Sequence, residues 1–218
     1  MRLQIPSLLP LMALLTTACN LPVGAPPTAA PTPPSAMITS AAPTPTSLPG
    51  GSGPCQAEAA EVPVYTRPSL LAEEFGTLSP GIPVAITGLS PDGWLGFDPG
   101  VAQAANIGVF RLRWIPPGLS LTFTGDCASV PVEPWVPEPG VCYQMSMEPV
   151  EVFNVPDTTE AATGVLDVGD FAAVDGQTAS GWLLVNGFRA NTPEVFGYIR
   201  EAAANLNGAC DAIPLLSP

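Results

Sequence analysis

The sequence predicts an all-β protein in which one small domain occurs twice. Three observations lead to this class. The 218 residues include 29 prolines and 21 glycines, so long uninterrupted helices are unlikely. Short segments with alternating apolar residues are separated by Gly and Pro turns, which is typical of β-strands. Residues 62–97 also match residues 150–185 without a gap, which indicates an internal duplication.

The N-terminus resembles a bacterial lipoprotein signal. After a positive start at Arg2, residues 3–15 form an apolar run that is shorter than the about 20 residues of a transmembrane helix. The sequence from Leu15 to Cys19 is similar to the lipobox, although its leucine lies one position earlier than usual. The resemblance implies that residues 1–18 are a signal peptide and that acylated Cys19 anchors the chain to a bacterial membrane. The alternative is an ordinary signal peptide that is cleaved elsewhere.

The segment that follows predicts a disordered tether. Residues 20–54 contain ten prolines and no charged residue, and Ala, Thr and Ser make up most of the rest. Such a composition cannot bury enough apolar surface to offset the loss of chain entropy. We therefore expect Cys19 and a linker up to residue 54 to lift the folded part away from the bilayer, at the cell surface or in the periplasm.

The duplication divides the rest of the chain. Eleven of the 36 matched positions are identical, and the later pair Trp114-Ile115 matches Tyr198-Ile199 after a shortening of four residues in copy two. Each copy is bracketed by cysteines. We place repeat 1 at 55–129, a proline-rich bridge at 130–141, repeat 2 at 142–210 and a tail at 211–218. The bridge is expected to be semi-rigid and extended. Trp135 is expected to pack between the domains, and the alternative is that it is exposed.

The cysteine count supports two disulfides. Setting Cys19 aside leaves four cysteines, for which three pairings are possible. Equivalent positions in equivalent domains should pair alike, which favours Cys55 with Cys127 and Cys142 with Cys210. A zinc site is the rival interpretation, but the chain has no histidine and no two cysteines lie close in sequence. No metal or other cofactor is expected.

Within each copy, the order of the motifs resembles the bacterial SH3-like domain of cell-envelope proteins. The matching elements are 76–78, Gly81, 93–94 and 114–115 in copy one, and 164–166, Gly169, 181–182 and 197–199 in copy two. The resemblance implies two tandem small SH3-like barrels. Copy one departs from copy two at Arg67, where copy two has Val155, and at Arg113, which replaces the family's closing glycine. It also carries the insertion 101–106. Copy two ends in a segment, 201–208, that predicts a short helix stopped by glycine.

Composition limits the function classes. Without histidine or lysine, the usual nucleophile–base pairs cannot form, so no enzymatic activity is expected. A formal net charge of −13 provides no footprint for nucleic acid. Domains of this family often bind cell-wall peptides or envelope proteins, and an architectural spacer or assembly subunit is the alternative. Six aromatic side chains could line a ligand groove or instead fill the core: Tyr65, Trp94, Trp114, Phe153, Trp182 and Tyr198.

Overall fold

Glycines and prolines divide the chain into short strands, as the composition predicts. The computed structural model describes residues 48–101, 103 and 106–217, and no strand in that part of the chain exceeds seven residues. The predicted signal peptide, Cys19 and most of the tether lie outside the described residues. None of the described helices is long and apolar enough to cross a membrane.

Repeat 1 contains eight strands and one 3-10 turn among its described residues. The strands are β1 (Gln56–Glu58), β2 (Val62–Tyr65), β3 (Glu74–Leu78), β4 (Val84–Ala85), β5 (Gly88–Leu89), β6 (Leu95–Phe97), β7 (Arg113–Ile115) and β8 (Thr122–Thr124). The 3-10 turn spans Gly108–Arg111 and precedes β7.

Repeat 2 contains seven strands and three 3-10 turns among its described residues. The strands are β9 (Cys142–Met145), β10 (Val150–Val152), β11 (Gly164–Leu166), β12 (Phe171–Gln177), β13 (Trp182–Asn186), β14 (Phe196–Arg200) and β15 (Leu206–Gly208). The turns are Gly187–Arg189, Glu201–Ala203 and Cys210–Ala212. Of the helix predicted over 201–208, only the 3-10 turn Glu201–Ala203 is present, and the rest of the prediction is wrong because β15 in that segment pairs with β9.

Strand pairing is the same in both copies. Repeat 1 has the order β3-β2-β7-β6-β5 and a second sheet β4-β1-β8, while repeat 2 joins the equivalent strands as β14-β13-β12-β9-β15 beside the β10-β11 pair. The single strand β12 corresponds to β4 and β5 together. Tyr65 pairs with Trp114 in copy one, and the equivalent Phe153 pairs with Tyr198 in copy two. Shared topology confirms that the sequence repeat is a structural repeat.

One hairpin turn shows this equivalence atom by atom. In copy one, the Trp94 backbone N–H donates to Ser90 Oγ at 3.0 Å, and in copy two the Trp182 N–H donates to Thr178 Oγ1 at 3.1 Å. The glycine before each tryptophan has a positive φ, 83° at Gly93 and 78° at Gly181. Only glycine adopts this conformation without strain, so the repeated Gly-Trp pair marks the same turn twice.

Each repeat encloses its own core, and a disulfide lies beside each. The structure joins Cys55 to Cys127 and Cys142 to Cys210, the pairing that the repeat predicted. Apolar strand residues that point inward, such as Val64 and Ile115 in copy one and Leu166 and Ile199 in copy two, are buried around these bridges. In neither copy do the outer strands of the described sheets pair with each other, so no barrel closes among the described residues.

Segments that composition assigned to linkers pack on the domains instead. The Cys127 N–H donates to Pro49 O at 2.9 Å, so the last residues of the predicted tether lie against repeat 1. In the bridge, Leu89 pairs in parallel with Val132, and in the tail Gln177 pairs in parallel with Leu215. Leu89 and Gln177 are equivalent positions. The segment that follows the second cysteine therefore belongs to the repeat that it leaves.

The two repeats also share a core, which a freely extended bridge would not allow. Phe110 of repeat 1 is buried against Tyr143 and Phe171 of repeat 2, with ring centroids 5.6 and 5.0 Å away. Met145, Ala173 and Ala190 of repeat 2 complete this buried cluster, called here the junction core. We conclude that the repeats form one packed unit rather than two independent domains.

Trp135 is not part of the junction core. Its side chain is 43% exposed, so the expectation that it packs between the domains is wrong. Phe110 occupies the buried position between the repeats instead, because the 3-10 turn at Gly108–Arg111 places its ring beside Tyr143.

Candidate functional site

The six aromatic residues proposed as a ligand groove do not line an open groove. Trp94, Trp114, Phe153 and Trp182 are buried. Tyr65 and Tyr198 are half-buried. The alternative that the aromatic side chains fill the core is therefore correct for these four buried residues. A small domain made of short strands needs large side chains to fill its interior.

These aromatics form equivalent edge-to-face pairs in the two copies. Tyr65 meets Trp94 with centroids 5.6 Å apart, and Phe153 meets Trp182 at the same 5.6 Å. In copy two the Arg200 guanidinium also lies 4.9 Å from the Trp182 ring centroid. Such geometry is favourable for aromatic rings and stabilises a small core. The aromatic pairs are structural elements of the repeat.

A cleft at the junction of the two repeats is the stronger candidate site. It encloses about 400 Å³, within the about 300–1,000 Å³ common for small-ligand sites. Repeat 1, the bridge and repeat 2 all contribute to its walls. Lining residues are Thr66, Arg67, Leu71, Ala72, Glu73, Asn106, Arg113, Glu138, Pro139, Gly140, Val141, Asn207, Gly208 and Ala209.

Arg67 follows β2 and is the first of two buried cations in this cleft. Arg67 is only 8% exposed. One guanidinium nitrogen donates to Thr66 O at 2.9 Å and another to Asn207 Oδ1 across the repeat boundary. The guanidinium also lies 5.2 Å from the Phe110 ring centroid. Its stem and head are therefore held by both repeats.

Arg113 at the start of β7 is the second buried cation. It is 7% exposed, and one guanidinium nitrogen donates to Phe110 O at 3.2 Å and to Leu112 O at 2.9 Å. Its guanidinium carbon lies 4.6 Å from the Phe75 ring centroid. The Arg113 Nε is buried without a hydrogen-bond partner among the described residues. One donor of this guanidinium is thus unused.

A chain of side-chain amides connects the two guanidiniums. Asn207, which accepts from Arg67, donates to Asn106 Oδ1 at 2.8 Å, and Asn106 donates to Gln103 Oε1 at 3.2 Å. The same Gln103 oxygen accepts from Arg113 Nη2. Both arginines are thereby oriented by neutral amide groups rather than by carboxylates.

Neither buried arginine forms an ion pair within the described residues. The three ion pairs there belong to Arg111, which meets Asp98 at 2.9 Å, and to Arg189, which meets Asp175 and Glu138. Burial, followed by repulsion from Arg113, lowers the pKa of Arg67 to about 10. Burial likewise lowers the pKa of Arg113. Both groups stay charged near neutral pH, so the cleft contains two cations that form no ion pair with a carboxylate of the described residues.

Copy two contributes Asn207 to this arrangement but has neither of the two arginines at its own equivalent positions. The position equivalent to Arg67 is Val155, which is exposed, and the position equivalent to Arg113 is Gly197. A Cβ at Gly197 would lie 2.4 Å from Phe153 O, so a side chain does not fit there. Gln103 and Asn106 come from the insertion that copy two lacks. A comparison of the two copies in sequence would have located this site, because Arg67, Arg113 and the insertion occur in copy one. The aromatic residues that both copies share belong to the core instead.

A second hollow of about 440 Å³ lies on repeat 1 alone. Its walls are mainly apolar, and its charged group, Asp98, is already paired with Arg111. The backbone N–H of Gly100 and then the Arg111 side chain lower the pKa of Asp98. This hollow offers less to a polar ligand than the junction cleft.

Comparisons with known proteins do not assign a family. No family model matches the chain, and no curated protein is similar to it in sequence. The function must therefore be inferred from the site itself.

Proposed function

We propose that the chain is a non-catalytic lipoprotein of the bacterial cell envelope, anchored through Cys19, whose tandem SH3-like repeats bind an envelope ligand. The ligand would be a cell-wall peptide or a protein partner. The observation that carries this proposal is the junction cleft. Three residues of copy one meet there, Arg67, Arg113 and Asn106 of the insertion, and copy two has Val155 and Gly197 in place of the two arginines. A site formed by residues that only one copy of a duplicated domain carries is typical of a scaffold that gained a binding role.

The cleft also has the physical properties of a binding site. It is concave, it is formed where the two repeats meet, and it places buried polar groups beside small apolar residues such as Ala72 and Val141. Rigid support comes from the junction core directly beneath Arg67. A rigid cleft binds with a smaller entropic cost than one that must be assembled on binding.

An architectural role is the second candidate, and one observation favours it. The repeats share a buried core, and the segments that follow Cys127 and Cys210 pack on the repeats. The folded part is therefore a rigid body suited to act as a spacer or assembly subunit. In that case Arg67 and Arg113 would only hold the repeats together.

Binding to envelope material separates the two roles. Full-length chain, extracted in detergent with both disulfides intact, is immobilised and exposed to cell-wall fragments and envelope extract. We expect retention of a defined component, lost in Arg113→Gln and kept in Arg111→Gln, which removes an exposed arginine two positions away. Equal retention by all three forms would show that the chain binds outside this cleft, and retention by none would favour the architectural role.

A further inference from the structure

The junction cleft contains two arginines that form no ion pair with any described residue. The chain has 19 acidic residues and 6 basic ones, so carboxylates are plentiful. Even so, the ion pairs of the described chain form at the half-exposed Arg111 and Arg189, not at the two buried arginines. Burying a cation without a counter-charge costs free energy, and such a group in a cleft is a candidate for a functional site.

We propose that this cleft binds the free carboxylate of a short peptide between Arg67 and Arg113. This inference rests on the proposed binding function and names the chemical group that the site recognises. A guanidinium presents parallel N–H donors that match the two oxygens of a carboxylate. Arg113 still has one buried donor, Nε, without a partner among the described residues, and the amide chain holds both arginines in place.

The charge of the surrounding cleft favours a singly charged group. Two cations, Arg67 and Arg113, face Glu73 and Glu138, and Glu138 is already paired with Arg189 at 3.5 Å. One uncompensated carboxylate against two cations leaves room for one negative charge. A phosphate dianion would exceed this balance, and the net charge of −13 would also oppose its approach.

The apolar part of the cleft indicates what precedes the carboxylate. Ala72, Pro139, Val141 and Ala209 line the walls, and two glycines leave the backbone accessible at Gly140 and Gly208. A Cβ at Gly208 would lie 2.1 Å from Val141 O, so this part of the wall is fixed by backbone packing. Together with a volume of about 400 Å³, these walls suit one or two small residues such as alanine.

Calorimetric titration of the full chain tests the assignment. N-acetyl-dialanine with a free carboxylate is compared with its C-terminal amide and with inorganic phosphate. We expect the acid to bind and to raise the melting temperature, the amide to bind at least tenfold more weakly, and phosphate to bind no better than the amide. Equal binding of acid and amide, or stronger binding of phosphate, would overturn the proposal.

Matched variants then locate the carboxylate site and distinguish this inference from the proposed binding function. Arg113→Gln should weaken acid binding at least tenfold, and Arg111→Gln should change it less than twofold. The acid–amide comparison on the unchanged chain does not depend on how well Arg113→Gln folds. If the acid fails to bind while envelope material is still retained, the carboxylate inference is wrong and the binding function stands; if both fail, both are wrong.

Discussion

Phe110→Ala tests whether the two repeats fold as one unit. Phe110 is 1% exposed, and it contacts residues of both repeats in the junction core. Truncating a buried phenylalanine costs about 3–5 kcal/mol of unfolding free energy. The edge-to-face contacts with Tyr143 and Phe171 and the nearby Arg67 guanidinium place this residue toward the upper end of that range.

The expected effect on melting follows from the size of the unit. The described residues all belong to one compact unit of the chain. For a unit of this size each kcal/mol shifts the melting temperature by about 2–4 °C, so the loss should be on the order of 10–20 °C. Phe188→Ala is the matched control, since Phe188 is 64% exposed and its truncation should cost less than about 0.5 kcal/mol.

Calorimetry and tryptophan indole NMR signals are the assays. Trp114 reports on repeat 1, and Trp182 is the tryptophan of repeat 2. The unchanged protein should show one transition in which both signals disappear together. Two separate transitions in the unchanged protein, or a Phe110→Ala variant that melts within about 3 °C of it, would refute the shared-core reasoning.

Three further predictions follow from the same structure. Trp94→Ala and Trp182→Ala should each lower one common transition, since the repeats are coupled; loss of structure in the mutated repeat alone would contradict this. Burial raises the pKa of the Tyr143 phenol, so its contribution to stability is fully present below pH 10, the value of an exposed tyrosine, and is lost as the pH rises through the higher folded pKa. Denaturant titrations from pH 9 upward should show this decline, and Tyr143→Phe should reduce it. Mass spectrometry of the mature protein should find acyl chains on Cys19 as the first residue; a mature N-terminus beyond it without lipid would disprove the anchor.

The parts of the fold that the sequence predicted are those set by local rules. The Gly93-Trp94 and Gly181-Trp182 turns, the matched strands and the cysteine pairing could be read from spacing, because turn geometry and repeat symmetry act over short distances or between equal positions. The all-β class follows from the Gly and Pro turns that separate the short apolar segments. A closed barrel did not follow, since closure depends on whether distant edge strands meet, which no local pattern specifies.

The junction cleft could not be predicted from composition, for two physical reasons. Proline-rich composition suggested a disordered tether and an extended bridge, yet two backbone hydrogen bonds at Leu89 and two at Gln177 hold the segments after each repeat against a strand. Aromatic residues drew attention as ligand contacts, yet in a small domain they are needed inside. The informative signal was the pair Arg67 and Arg113, since each breaks the repeat at a position where copy two has an uncharged residue.

The segments that follow Cys127 and Cys210 pack beside Leu89 and Gln177, and this packing affects how neighbouring copies of the protein can interact. A strand edge with free N–H and C=O groups is a template for pairing with a neighbouring copy, and anchoring on a membrane would bring copies close together. Here Val132 and Leu215 already occupy that position on the two repeats. Each repeat thus closes one aggregation-prone edge with its own chain, and the prolines next to these residues cannot donate a backbone hydrogen bond to a further strand.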